Sequence, residues 1–195
     1  MSWLRVSTLL LLVLCLSAGA LAQESAAQAQ SPSVDQAYVE KQFGPEFTLA
    51  AGLPPITGDL DGDGVQDIVI PAKAKSALIG EAEYNYKGID PYTSFFGLGD
   101  PKITSQFATE DPKRRGLVLL VVHGSGQDAW RSDSPKAKFV IINLPFKQVS
   151  VRRVKVKKKV LTAIYAEETG ADEMTSATYF DGKKYKYQPM GASMQ

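Results

Sequence analysis

The residues best suited to chemistry in this chain are Asp59, Asp61, Asp63 and Asp67, set in the stretch Asp59-Leu60-Asp61-Gly62-Asp63-Gly64-Val65-Gln66-Asp67. Carboxylates at positions one, three, five and nine of one short loop repel each other unless a hard cation lies among them. Calcium accepts six to eight oxygens at roughly 2.3–2.6 Å, and alternating Asp side chains can point inward to meet it. Gly62 and Gly64 let the backbone turn at little steric cost. The expected site is therefore calcium (Ca2+) held by Asp59, Asp61, Asp63, Asp67 and the Val65 carbonyl, with loop 59–67 kept rigid by the ion. Magnesium suits the loop less, because no phosphate-binding element accompanies it. An EF-hand would carry Glu at position twelve, but Ile70 stands there, within Ile68-Val69-Ile70. The loop thus feeds a β-strand and not a helix.

Other chemistries are limited by counts. His123 is the one histidine and Cys15 the one cysteine, which excludes His-rich and thiolate zinc sites. Leu117 to Gly126, ending His123-Gly124-Ser125-Gly126, is locally similar to the strand and oxyanion loop of an α/β-hydrolase. No Gly-x-Ser-x-Gly elbow occurs, however, and no second histidine is left to act as base. Glu81, Glu83, Asp90, Glu110 and Asp111 could supply a carboxylate pair for glycoside hydrolysis. The chain is read as a non-enzyme, an exported calcium-stabilised binding or structural module. The alternatives are a secreted hydrolase acting on polysaccharide and an enzyme inhibitor that presents residues 72–116 to its target.

These residues need a compartment and a scaffold. Residues 1–22 combine Arg5, an apolar run from Thr8 to Leu16 and an Ala20-Leu21-Ala22 ending, the pattern of a cleaved secretory signal peptide. Cleavage would remove the only cysteine and leave a nearly neutral chain, so stability must come from core burial or metal and not from disulfides. The absence of any Asn-x-Ser/Thr site favours a bacterial envelope or secreted protein, periplasmic or extracellular. Residues 23–33 are small and polar and read as a disordered linker. Residues 34–195 are expected to form a single domain.

Within that domain, Ser33 is placed as the cap of one short helix ending at Gly44. Phe47-Thr48-Leu49 is a brief strand, and Ile68-Val69-Ile70 a firmer one whose Pro71 marks an edge or a strand end. Residues 72–116 read as a long connection, either an inserted functional loop or short unrecognised elements. Leu117 to Val122 is a continuous apolar run, hence a strand buried on both faces. Further strands are expected at Phe139–Ile142, from Val149, at Val160–Tyr165 and at Met174–Phe180. Asp181-Gly182 signals a two-residue hairpin turn into Lys183–Tyr187, where Tyr185 and Tyr187 share a face. The fold class is α+β and β-rich, mainly antiparallel, with one short N-terminal helix and a C-terminal β-meander.

The run Arg152-Arg153-Val154-Lys155-Val156-Lys157-Lys158-Lys159 alternates valine with cations and reads as a solvated edge strand. Its functional alternative is contact with an anionic surface. Aromatics between Tyr84 and Phe96 are assigned to packing before sugar stacking. The expected partner is an unidentified protein or surface glycan, with no nucleic acid and no transmembrane segment after cleavage.

The acidic loop also resembles the FG-GAP or VCBS repeat of integrin alpha-chain propellers and many exported bacterial proteins. Asp59-Leu60-Asp61-Gly62-Asp63-Gly64-Val65-Gln66-Asp67-Ile68-Val69-Ile70 follows that family's Asp-x-Asp-x-Asp-Gly-x-x-Asp loop and the strand behind it. The resemblance implies calcium at the start of a blade, with Gly116 to Gly124 as the next strand. The loop occurs once, whereas a propeller needs four or more blades. A complete propeller is excluded, and a single blade-like unit within another β fold remains.

Overall fold

The computed structural model describes residues 32–97, 116–169 and 174–192. The expected signal peptide (1–22), nearly all of the expected linker (23–33) and part of the 72–116 connection lie outside them. No helix of the described residues is long and apolar enough to cross a membrane.

Two β-sheets form the framework of the described chain. The first holds β1 (Phe47–Leu49), β2 (Ile56–Gly58), β3 (Asp67–Ala74), β4 (Lys87–Ile89), β5 (Leu117–His123) and β6 (Ala137–Ile141). Its order is β1-β3-β5-β6-β4, with β2 also paired to β3. The second is a meander of β7 (Phe146–Val156), β8 (Lys159–Glu168), β9 (Met174–Phe180) and β10 (Tyr185–Ala192), each strand beside its sequence neighbour. All pairings are antiparallel except β4 with β6. The fold is α+β and β-rich, and the described residues form neither a closed barrel nor a propeller.

The layers follow from alternation along β5. Val118, Leu120 and Val122 point to one face, where they join Phe43, Phe47, Ile68, Ile70 and Val140 beneath the helix α1 (Gln36–Phe43). Leu119 and Val121 point to the other and meet Phe146, Ile164, Ala166, Tyr185 and Tyr187 of the second sheet. Each fully buried Leu or Val removes about 1.5–3 kcal/mol worth of apolar surface from water. A strand apolar at every position is therefore stable only between two partners, as the run from Leu117 predicts.

Several local expectations change. The cap of α1 is Asp35 and not Ser33: the Tyr38 amide donates to Asp35 Oδ1 at 2.8 Å, and Ser33 lies two residues too early. Pro71 lies inside β3 and not at its end. Ala74 N donates to Gly116 O across the β3–β5 pair, so alternate residues face β5 and the Pro71 nitrogen points to the other flank. There β2 pairs only as far as Val69 and β1 begins at Ala72, so no ladder bond is lost. The 72–116 connection contains short elements, namely the end of β3, β4 and a second helix α2 (Pro91–Phe96). The two-residue turn falls on Gly182 and Lys183, one position later than expected, since Phe180 opposes Tyr185 and Asp181 N donates to Lys184 O.

Candidate metal centre

The acidic loop lies at the entry to β3, and its own side chains fold it. Asp59 Oδ1 accepts from the Gly62 amide at 2.8 Å and the Asp63 amide at 3.1 Å, and Oδ2 from Gly64 at 3.0 Å. Asp61 Oδ1 accepts from Asp63 N and Asp63 Oδ1 from Val65 N. These local turns require φ near +80° at Gly62 and +85° at Gly64, which glycine adopts freely.

A second segment, between β5 and β6, closes over the loop. Asp67 is almost fully buried, and its two oxygens take separate backbone donors: Oδ2 from Leu60 N at 2.7 Å and Oδ1 from Gly124 N at 2.8 Å. The latter contact needs a glycine for space. A Cβ on Gly124 would stand 2.4 Å from the Gln66 carbonyl oxygen and 2.9 Å from Trp130 N. Trp130, in a 3₁₀ turn (Ala129–Arg131), donates from Nε1 to Gln66 Oε1 at 3.3 Å. The His123-Gly124 motif thus serves as a backbone clamp on the acidic loop.

One end of the same segment brings a cation. Lys136 Nζ lies 2.7 Å from Asp61 Oδ2 and 2.6 Å from Asp63 Oδ2. Hydrogen bonds to these two carboxylates hold the Lys136 ammonium above its ordinary range, while Lys136 and the Val65 amide hold Asp63 below the usual carboxylate value. Asp61 also approaches His123 Nδ1 at 3.4 Å, and His123 Nε2 lies 2.7 Å from the Tyr185 hydroxyl. Burial lowers the His123 pKa against the pull of Asp61, which favours the neutral ring. The carboxylate can only accept, which assigns the ring hydrogen to Nδ1 and makes Nε2 the acceptor for Tyr185. Burial also pushes the Tyr185 phenol well up.

Asp59, Asp61 and Asp67 each offer an oxygen, and these atoms all lie within 4.8 Å of one another. Two oxygens on opposite sides of a calcium ion at about 2.4 Å would be about 4.8 Å apart, so this trio could hold a metal ion. The donor set is all oxygen, which suits a hard cation. Burial raises Asp67 to about 6, with the charges of Asp61 and Asp63 adding and the Gly124 and Leu60 amides opposing. Four carboxylates face one ammonium and a neutral imidazole, so the loop keeps an excess of negative charge. Of the sequence candidates, Asp59, Asp61 and Asp67 converge; Asp63 sits at the rim on Lys136, and Val65 follows it with its amide on Asp63. Sequence reasoning missed Lys136 and the clamping role of Gly124, which lie 73 and 57 positions from the acids they meet.

Two of the carboxylates weighed for hydrolysis, Asp90 and Glu81, are engaged elsewhere. Asp90 caps α2 through Thr93 N at 2.7 Å and takes Asn143 Nδ2 at 2.5 Å on its other oxygen. Glu81 Oε1 accepts from Gly88 N at 2.8 Å. Asp90 borders a cavity of about 330 Å³ between α2 and β10, lined also by Phe95 and Tyr187. Glu110 and Asp111 lie outside the described residues. No protein-family model, curated protein or solved structure matches this chain.

Proposed function

We propose that this chain is a calcium-stabilised, non-catalytic binding or structural module of the bacterial envelope, exported to the periplasm or beyond it. The observation that carries the reading is the convergence of Asp59, Asp61 and Asp67 on one small volume that retains excess negative charge. Asp63 and the Val65 carbonyl are the further donors, and the ion replaces the disulfides an exported chain would otherwise use. The engagement of Glu81 and Asp90 in local backbone capping supports a scaffold over a hydrolase. Bound calcium would stabilise the fold by about 2.7 kcal/mol when present at 100-fold above Kd.

Thermal unfolding in millimolar calcium and in chelator tests the reading. The melting temperature is expected to fall in chelator, and Asp61→Asn is expected to abolish the difference. Equal melting temperatures for the unaltered chain under both conditions would overturn calcium stabilisation.

A further inference from the structure

The second sheet ends in two turns that reach the same side of the molecule. β7 turns into β8 at Lys157 and Lys158, with Val156 opposite Lys159. Ala163 of β8 opposes both Arg152 of β7 and Tyr179 of β9, so the chain leaves Tyr179 for its turn in the direction in which β7 leaves Arg152. This brings Lys183 and Lys184 to the end that already holds Lys155, Lys157, Lys158 and Lys159. All six are exposed, and none has an ion-pair partner among the described residues. Asp181, the acid of these two turns, is committed to Lys186 at 2.8 Å.

Two details set this end apart from an ordinary solvated edge. Lys157 has φ +56°, a conformation that glycine adopts freely and a lysine only at a cost, so the turn keeps a charge where a cheaper residue exists. Val160 is 55% exposed and faces Lys155 across the pair, an apolar side chain in the middle of the cations. Polyanionic strands are held by aromatic stacking in a charged groove. The tip instead protrudes and carries no aromatic residue between Lys155 and Val160. Clustered lysines around an exposed apolar residue match a surface of anionic headgroups over an apolar interior.

We infer that the β7–β8 and β9–β10 turns together form a docking surface for anionic phospholipid membranes, with the lysines meeting headgroup phosphates and Val160 entering the interface. The contact is independent of the acidic loop and its cation.

The test is sedimentation of the full chain with phosphatidylcholine vesicles carrying about one-third phosphatidylglycerol, run in chelator against pure phosphatidylcholine. Binding is expected to the anionic vesicles above the level on neutral ones, and to weaken as salt rises. The triple change Lys157→Gln, Lys158→Gln, Lys159→Gln should lower the partition about 100-fold with an unaltered melting temperature, and Val160→Ser should lower it several-fold. Because the N-terminal segment is the same in every variant, these ratios report on the tip. Single substitution Lys158→Gln provides the same readout at about 5-fold should the triple variant misfold. Equal partition of the variants and the unaltered chain, a requirement for calcium, or capture by duplex DNA without capture by vesicles would each overturn the proposal.

Discussion

The acidic loop and the basic hairpin carry charge of opposite sign in opposite ways. At residues 59–67 every carboxylate oxygen has a named donor, and two of the side chains, Asp61 and Asp67, are buried. At residues 155–160 the ammonium groups stand in solvent without an ion-pair partner among the described residues. Charge fixed in position costs desolvation and yields geometry, which suits a small ion. Charge left free costs little and yields a long-range field, which suits an extended surface. Substitutions should therefore damage stability at the first site and not lower it at the second.

The sharpest way to break that contrast is Gly124→Ala. Its Cβ would meet the Gln66 carbonyl at 2.4 Å and push away the amide that serves Asp67, with an expected loss of about 3 kcal/mol in urea unfolding. Retention of full stability would mean that the clamp yields freely. Asp67→Ala comes next. It leaves the Leu60 and Gly124 amides without their acceptor, and should cost about 2 kcal/mol even in chelator and more in calcium, where a candidate ligand is lost as well. That sets it apart from Asp61→Asn, whose effect is expected in calcium.

At the basic end the expected sign reverses. Lys157→Gly relieves the positive φ and should raise stability by about 1 kcal/mol while weakening vesicle binding. Destabilisation would place Lys157 among the fold's own contacts. The smallest effect belongs to Asp181, which Lys186 and the Lys184 amide hold down at about 2 from 3.8. Because the folded pKa is the lower one, the pair stabilises fully above pH 4 or so and loses its contribution as pH falls through about 2. With Lys186 nearly half exposed, the contribution is about 0.5 kcal/mol, and Asp181→Asn should remove that acid-side dependence from the unfolding curve.

What was legible in the sequence was what is local. Asp59 to Asp67 organise themselves through contacts two to five residues apart, so their spacing alone suggests a loop built for a cation. The apolar run from Leu117 and the alternation of Tyr185 and Tyr187 mark buried faces for the same reason. The rest depends on distant partners. β4 is three residues, Lys87-Gly88-Ile89, with a Gly at its centre, and it exists as a strand only because β6 pairs with it in parallel. Lys136 has no local signal at all; it becomes part of the site when β5 and β6 pair, and the Lys136 amide donates to the His123 carbonyl. Ser33 suits a cap by composition, but the phase of α1 is set by tertiary packing and puts Asp35 in that place.

The bond from Gly124 to Asp67 spans 57 positions of chain. Closing a segment of that length costs entropy before any contact is returned, so such a pair forms late, once β3 and β5 have already zipped together. A cation would therefore meet the converged Asp59, Asp61 and Asp67 only in a chain that has finished this pairing, while a nascent or partly unfolded chain would offer it a loose acidic loop. Affinity for an ion held there would then gauge how far folding has advanced, and a compartment rich in that ion would select finished molecules over unfinished ones.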